Sequence, residues 1–75
     1  MSVIIYSRDD CPWCVRAKDM LYSIGKEYEE IKIGRDLTRE EFKEQFPEVK
    51  TVPYIIIDGT AIGGYENLLS HYKLS

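Results

Sequence analysis

Cysteine, histidine and net charge are all scarce in this sequence, and each scarcity excludes a class of protein. The 75 residues include two cysteines and one histidine. Small secreted domains usually rely on several disulfides between distant segments, and two cysteines with only two residues between them cannot form such a framework. The chain is therefore expected in a reducing compartment, the cytoplasm. A net charge of −3 offers no basic surface for nucleic acid, so no nucleic-acid partner is expected.

Long hydrophobic runs and basic leaders are also missing. The first apolar run, residues 2–6, has no basic residue before it and is followed by charges at residues 8–10, so a signal peptide is not expected. No run approaches the ~20 apolar residues that span a bilayer, so no membrane partner is expected. A chain this short has room for one compact core, and we expect a single domain over residues 1–75.

The apolar pattern predicts a strand and then a helix at the start of the chain. Val3–Tyr6 is a short continuous apolar run, typical of a strand that is buried on both faces. Pro12 is suited to the first turn of a helix, and Gly25 is suited to its end. Between them, apolar residues recur at the i, i+3, i+4, i+7 spacing of one helix face: Ala17, Met20, Leu21 and Ile24.

Three further strands are predicted. Residues 28–33 intersperse apolar and charged side chains and form the second strand. Residues 54–57 are apolar and lead into Asp58-Gly59, a dipeptide typical of tight hairpins, from which residues 60–62 return. The first crossover requires a parallel pair and the hairpin an antiparallel pair, so we expect a mixed four-stranded sheet.

Two further helices are predicted. Thr38 and Glu41 form a capping box at the start of the second helix, in which Phe42 and Phe46 are expected to face the core. The third helix follows Gly63-Gly64. The resulting order, β-α-β-α-β-β-α, is an α/β architecture in which three helices flank the sheet. The third helix is indicated by apolar residues at i, i+3, i+4, i+7 spacing: Tyr65, Leu68, Leu69 and Tyr72.

The segment Cys11-Pro12-Trp13-Cys14 lies where the first strand gives way to the first helix. Cys11 stands at the helix N-terminus, where unpaired backbone N–H groups favour a thiolate, whereas Cys14 extends the apolar stripe. A nucleophilic thiol beside a resolving thiol is typical of dithiol–disulfide exchange. Half of a zinc site is the alternative, but it needs two more ligands, and the only histidine, His71, is predicted on the far side of the last helix.

With these motifs in place, the sequence resembles the glutaredoxins, small thioredoxin-fold oxidoreductases, over essentially its whole length. Cys11-Pro12-Trp13-Cys14 is similar to the dithiol Cys-Pro-aromatic-Cys motif of the family. Thr51-Val52-Pro53 resembles the family segment whose proline is cis, and residues 63–67 resemble the Gly-Gly-X-acidic-acidic segment before the last helix. The resemblance implies a thioredoxin fold and a dithiol enzyme with no bound cofactor.

The resemblance also implies that glutathione lies across the surface that the three motifs share. Arg8 and Lys50 would face its glycine carboxylate, and Val52 would offer its backbone to the cysteinyl part. Tyr6 and Trp13 would flank the sulfur, and the start of the last helix would hold the γ-glutamyl end. Beside the catalytic Cys11 and Cys14, the implied glutathione-binding residues are Arg8, Trp13, Lys50, Thr51, Val52, Pro53, Gly64, Tyr65, Glu66 and Asn67.

Two positions depart from the family pattern. Asn67 replaces a frequent second carboxylate, which removes one charge partner of the γ-glutamyl amine. Asp9-Asp10 places negative charge directly before Cys11, which opposes the formation of a thiolate. Arg8 and Arg16 are expected to offset part of that charge.

The resemblance implies glutathione as the reductant, disulfide-containing proteins such as ribonucleotide reductase as partners, and a monomer. One alternative is a similar redoxin that is reduced by thioredoxin reductase. Another is a glutaredoxin with a subunit-bridging iron–sulfur cluster, which Pro12 at the helix start disfavours. A non-catalytic binding module with this fold would not need two cysteines at a helix N-terminus.

Overall fold

The computed structural model describes residues 2–73 and has the predicted order of elements. Four strands form one mixed sheet in the order β2-β1-β3-β4, and three helices flank it. The mixed sheet is the one that the sequence predicts, and the whole is the thioredoxin-like architecture that the resemblance implies. The elements are β1 Val3–Ser7, α1 Pro12–Ser23, β2 Glu29–Lys32, α2 Arg39–Gln45, β3 Tyr54–Ile57, β4 Thr60–Gly63 and α3 Tyr65–Tyr72.

The pairing of the strands places β1 and β3 at the centre of the sheet. β1 runs parallel to β2 and antiparallel to β3, with Ile5 opposite Ile55. β3 and β4 form the antiparallel hairpin, whose register shifts between Ile55 and Ile56. Since β1 ends where β3 begins, the loops at that edge, residues 8–11 and 46–53, lie side by side. None of the helices within residues 2–73 has the length and apolarity needed to cross a membrane.

The main core lies between the sheet and the helices α1 and α3. Alternate residues of a strand face opposite sides of the sheet, so Val3 and Ile5 face this core while Tyr6 faces the other side. There Tyr6 packs against Phe42 and Phe46, with ring centroids 5.3 Å and 5.2 Å away. The main core consists of Val3, Ile5, Ala17, Leu21, Ile55, Ile57 and Leu68.

The helix ends follow from local sequence. Pro12 occupies the first turn of α1, and Gly25 follows its end with a φ of 73°. α2 begins with the predicted capping box, in which Thr38 accepts the Glu41 N–H and the Glu41 side chain accepts the Thr38 N–H. β2 is shorter than predicted by one residue at each end. Tyr28 lies before the strand and packs against the core, and Ile33 lies after it and forms an isolated bridge with Leu37.

Candidate active site

Cys11 and Cys14 lie at the start of α1 and form a disulfide, with their Cα atoms 5.2 Å apart. Cys11 precedes the helix, whereas Cys14 belongs to its first turn. Cys11 keeps 8% of its surface exposed, and Cys14 keeps 1%. The structure therefore makes the two sulfurs inequivalent in the predicted sense, with Cys11 on the outside.

The sulfur of Cys11 occupies the position of a helix cap. The backbone N–H of Cys14 donates to Cys11 Sγ at 3.2 Å, a contact that Ser, Thr, Asp or Asn oxygen usually provides at this position. A hydrogen bond donated to an ionised group favours the ionised form, so this N–H stabilises a Cys11 thiolate once the disulfide is reduced. The helix dipole acts in the same direction.

A second chain segment approaches Cys11 from the loop before β3. The Val52 carbonyl oxygen lies 3.7 Å from Cys11 Sγ. The Val52–Pro53 peptide bond is cis, as the resemblance implies. Pro53 is buried, whereas Thr51 is exposed and Val52 half-buried, so the segment presents the backbone of residues 51 and 52 beside the sulfur.

A groove of about 1250 Å³ passes over Cys11. Its walls come from the start of α1, the loop before β3 and the start of α3, together with one face of α2. Cys11 lies in its wall, and Cys14 lies behind it. Every residue implied for glutathione lines the groove: Arg8, Trp13, Lys50, Thr51, Val52, Pro53, Gly64, Tyr65, Glu66 and Asn67.

Sequence reasoning missed the wall that α2 contributes. Arg39, Phe42 and Lys43 line the groove, while Glu40 and Glu44 do not. The signal was present in the i, i+3, i+4 spacing of the three groove residues, which puts them on one helix face. From the sequence, Phe42 is predicted only to face the core. Further lining residues absent from the prediction are Asp10, Pro12, Ile33, Gly34, Pro47 and Val49.

Trp13 forms the rim of the groove beside the cysteines. Its side chain is 53% exposed, and its ring centroid lies 5.4 Å from that of Tyr65. The guanidinium of Arg16 lies over the Trp13 ring, 5.1 Å from its centroid. The start of α1 and the start of α3 are therefore joined by a tilted aromatic pair at the mouth of the groove.

The predicted position of Tyr6 beside the sulfur is wrong. Tyr6 is 7% exposed, packs among Phe42, Phe46 and Tyr54, and is not one of the groove residues. Burial and the nearby Glu29 carboxylate raise the pKa of its phenol. The period-2 alternation of β1 turns this ring toward the α2 side of the sheet, so it supports the groove wall through Phe42.

The two aspartates before Cys11 differ in their surroundings. Asp9 pairs with Lys32 of β2 at 3.0 Å, whereas Asp10 lines the groove with a φ of 55°. The ion-pair partner of Asp9 is thus Lys32, while the Arg16 guanidinium lies over Trp13 and forms no ion pair with Asp9 or Asp10. Asp10 is the carboxylate left beside the thiol.

The start of α3 has no side-chain cap. Gly64 is the N-cap residue and provides no side-chain hydrogen bond, so the first backbone N–H groups of this helix remain available to an anion. Asn67 lies against Gly63: a Cβ at position 63 would lie 3.0 Å from Asn67 Cγ. Among residues 2–73, no group of three or more histidine, cysteine or carboxylate side chains could hold a metal ion.

A hydrogen-bonded triad lies below the site. Lys18 Nζ and the fully buried Ser7 hydroxyl both donate to Glu30 Oε2, at 2.8 Å and 2.6 Å. These bonds, that of Lys18 first, lower the pKa of Glu30. The triad joins α1, β1 and β2, and its Ser7 is the last residue of β1, before the loop that leads to Cys11.

Comparisons with known proteins identify the family of this chain. The glutaredoxin family model matches residues 3–62. Glutaredoxin 1 of Escherichia coli is 34% identical over 97% of this chain and 94% of its own length. The crystal structure of glutaredoxin 1 from Francisella tularensis complexed with cacodylate has a TM-score of 0.85 and 30% identity, over 96% of this chain and 92% of that one.

The fold is also shared with a buckwheat glutaredoxin solved as a glutathione complex, with a TM-score of 0.78 at 23% identity, over 95% of this chain and 67% of that one. The family model covers far more than half of the chain, and the Cys-Pro-Trp-Cys segment lies at the start of α1. The chain therefore belongs to the glutaredoxin family, whose members are thiol–disulfide oxidoreductases.

Proposed function

We propose that this protein is a glutathione-dependent thiol–disulfide oxidoreductase in which Cys11 is the nucleophile and Cys14 the resolving thiol. The observation that carries the proposal is the position of the Cys11 sulfur, which accepts the Cys14 N–H and faces an open groove, while Cys14 is almost fully buried behind it. A buried thiol can react with the neighbouring sulfur but is poorly placed to attack an incoming substrate.

The reaction begins with the reduced dithiol. The Cys11 thiolate attacks one sulfur of a substrate disulfide, a Cys11–substrate disulfide forms, and the other substrate sulfur leaves as a thiolate that takes a proton from solvent. Cys14 then loses its proton and attacks Cys11 Sγ, which releases the second substrate thiol. The substrate gains two electrons and two protons, and the enzyme is left as the Cys11–Cys14 disulfide.

Glutathione returns the enzyme to the dithiol. One glutathione thiolate attacks Cys11 Sγ, Cys14 leaves as a thiol, and a second glutathione thiolate then attacks the glutathione sulfur of the mixed disulfide. The products are oxidised glutathione and the reduced Cys11–Cys14 pair. The surroundings of Cys11 suit an anionic tripeptide because basic side chains and uncapped N–H groups lie on two sides of it.

The binding residues follow from the chemistry of glutathione. Arg8 and Lys50 would pair with the glycine carboxylate, and the Val52 backbone would pair with the cysteinyl residue as an added strand does. The uncapped N–H groups at the start of α3 would hold the γ-glutamyl carboxylate, with Glu66 near its amine. Asn67 cannot supply the second charge that the resemblance implies for that amine.

Disulfide-containing proteins such as ribonucleotide reductase are the proposed partners, and a cytoplasmic monomer is the proposed form. The open groove supports a protein substrate because Cys11 is reached from a surface and not from a closed cavity. The two cysteines support a reducing compartment, in which a reactive dithiol can be kept reduced.

A coupled turnover assay tests the proposal. NADPH consumption is followed with a disulfide substrate in two parallel reactions, one with glutathione and glutathione reductase and one with thioredoxin reductase alone. Turnover in the first reaction and none in the second is expected, with the Cys11→Ser variant as the baseline. Turnover with thioredoxin reductase alone would overturn glutathione dependence and identify the thioredoxin-reductase-linked redoxin.

A further inference from the structure

β2 is an edge strand of the sheet, and its outer side lies away from the groove. An edge strand presents backbone N–H and C=O groups that can pair with another chain. The backbone groups of successive residues point to opposite sides of a strand. The Ile33 N–H donates inward to the Ser7 carbonyl, so the outward groups of β2 are those of Glu30 and Lys32.

The loop that follows β2 occupies both outward groups of Lys32. The Lys32 N–H donates to Asp36 Oδ2 at 2.8 Å, and the Lys32 carbonyl oxygen accepts the N–H groups of Arg35 and Asp36, at 3.2 Å and 2.8 Å. The Arg35 guanidinium holds the carboxylate through two further bonds, from Nε to Oδ1 at 3.2 Å and from Nη2 to Oδ2 at 2.9 Å. We call Arg35 and Asp36 the edge clip.

The edge clip closes only one half of this edge. The bonds to Asp36, that of Arg35 first, lower the pKa of its carboxyl, so the group is ionised at neutral pH and is a strong acceptor. Within residues 2–73, the outward backbone groups of Glu30 make no bond beyond the strand. Neither clip residue lines the groove, so the proposed thiol chemistry gives them no part.

The sequence of β2 is complementary to itself. When two β2 strands lie antiparallel about a twofold axis at Ile31, the outward groups of Glu30 lie opposite those of Lys32 of the second copy, on both sides of the axis. The side chains of Glu30 and Lys32 project from the same face of the sheet, so opposite charges meet in each of these pairs. On the other face, Ile31 meets Ile31 of the second copy.

We infer that the outer edge of β2 is a pairing surface for a second copy of this chain, and that the edge clip keeps it closed. Pairing in this register needs the N–H and carbonyl oxygen of Lys32 in both copies, and these are the groups that the clip occupies. A charge-assisted bond between Lys32 and Asp36 must therefore break in each copy before the strands can pair. The inference goes beyond the proposed thiol chemistry and does not depend on it.

Two single variants of equal net charge test the inference. Asp36→Ala removes the acceptor of the Lys32 N–H, whereas the amide oxygen of Asp36→Asn can still accept it. Sedimentation velocity measures the dimer fraction of the parent and of both variants from about 10 μM to about 1 mM. Asp36→Ala should form a dimer, with a dissociation constant about a hundredfold or more below that of the parent, because one bond fewer must break in each copy. Asp36→Asn should stay monomeric like the parent.

A second substitution in the Asp36→Ala background locates the dimer at β2. Lys32→Glu places like charges opposite each other in both cross-strand pairs, so the dimer should be lost. Lys73→Glu is the matched control, because it makes the same change of charge at an exposed position after α3, a helix that packs on β3 and β4. The control should keep the dimer.

Three results would overturn the inference. Asp36→Ala could remain as monomeric as the parent, or Asp36→Asn could dimerise as strongly as Asp36→Ala, and either result would show that the clip closes nothing. A dimer that survives Lys32→Glu would lie at another surface of the molecule. Thermal melting of each variant shows that it is folded, so that association of the native chain is distinguished from aggregation of the unfolded chain.

Discussion

The cap of α1 and the proposed nucleophile are the same atom. A thiol is a weak hydrogen-bond acceptor, and a thiolate is a much better one, so the bond from the Cys14 N–H to Cys11 Sγ strengthens when Cys11 ionises. The helix is therefore best capped in the ionised state of the enzyme. This coupling explains why a sulfur can stand at an N-cap position that oxygen side chains usually occupy.

Single-cysteine variants separate the two roles. Cys11→Ser should abolish all exchange, because no other thiol faces the groove. Cys14→Ser should lose the reduction of protein disulfides but still remove glutathione from mixed disulfides, which needs only the outer thiol. Alkylation of the reduced enzyme followed by mass spectrometry provides an independent check, and faster labelling of Cys14 at pH 7 would show that the roles are reversed.

Asp10 should slow the reaction of Cys11 more than Asp9 does. Asp10 lines the groove, whereas Asp9 is held over β2 by Lys32 and is 83% exposed to screening solvent. A unit charge about 7 Å away in water-like surroundings is worth ~0.6 kcal/mol, or about threefold in thiolate population. We expect Asp10→Asn to speed alkylation by iodoacetamide at pH 6 about two- to threefold at low salt.

The control for that prediction is Asp9→Asn, which changes the net charge by the same amount and should have a smaller effect. Both effects should shrink in high salt, because the carboxylates are exposed. Equal rates for Asp10→Asn and the parent at every ionic strength would mean that the thiol does not sense this charge.

Gly63 is required by its backbone conformation. Its φ of 110° is open to glycine but strained for other residues, and a Cβ there would lie 3.0 Å from Asn67 Cγ. Gly63→Ala should lower the free energy of unfolding by about 1–3 kcal/mol. Gly64→Ala is the matched control, since its Cβ would have an ordinary contact at 3.5 Å; urea unfolding that ranks Gly64→Ala as the costlier change would contradict this account.

At the scale of elements, the sequence predicts best what local chemistry decides. The start of α1 at Pro12 and the capping box at Thr38 depend on residues a few positions apart, and both are confirmed. The resemblance implies a place for Tyr6 beside the sulfur, yet the pleat of β1 turns this ring to the other face of the sheet. The spacing of Arg39, Phe42 and Lys43 puts them on one face of α2, but no local pattern specifies how that helix lies over the sheet, and this decides whether the face lines the groove.

The triad of Ser7, Lys18 and Glu30 should make stability depend on acid pH. Its bonds lower the pKa of Glu30 in the folded state below the ordinary value of 4.5, so the folded state binds fewer protons than the unfolded state. The resulting stabilisation is present above pH 4.5 and is lost as pH falls through the folded pKa. Glu30→Gln should cost about 1–2 kcal/mol at pH 7, because a charged acceptor is lost.

Urea unfolding of the parent and of Glu30→Gln from pH 7 to pH 3 measures this effect. The two curves should converge at the acid end, where the parent carboxylate is protonated. Glu44→Gln, on the exposed side of α2, is the control and should stay within about 0.5 kcal/mol of the parent. If the free energies of unfolding of the parent and of Glu30→Gln differed by the same amount at all pH values, the stability lost in the variant would come from packing and not from the charge of Glu30.

At the scale of the whole molecule, the site exists because several element ends meet at one edge of the sheet. β1 ends there, β3 begins there, and α1 and α3 both begin there. The N-termini of α1 and α3 thus point toward one groove. The first favours the thiolate of Cys11, and the second favours a bound carboxylate. The sequence predicts this convergence through topology, since a β-α-β crossover and a hairpin leave few other arrangements.

The small size of the core makes stability sensitive to single core residues. A chain of 75 residues is expected to have ~4–11 kcal/mol of stability in total. Leu21 of α1 is fully buried in the main core, and Leu21→Ala should cost about 2–5 kcal/mol through lost burial and the cavity left behind. That loss is a large fraction of the total, so a measurable unfolded population is expected at 37 °C.

Val15→Ala on the same helix is the matched control. Val15 is 52% exposed, and alanine favours helix more than valine does, so the change should stay within about 0.5 kcal/mol. Because Leu21 lies away from the groove, the turnover of each folded Leu21→Ala molecule should equal that of the parent, and only the folded fraction from urea unfolding should fall. A lower turnover at full folded fraction would mean that the core positions Cys11 through α1, since this helix joins the core at Leu21 to the groove at its first residue.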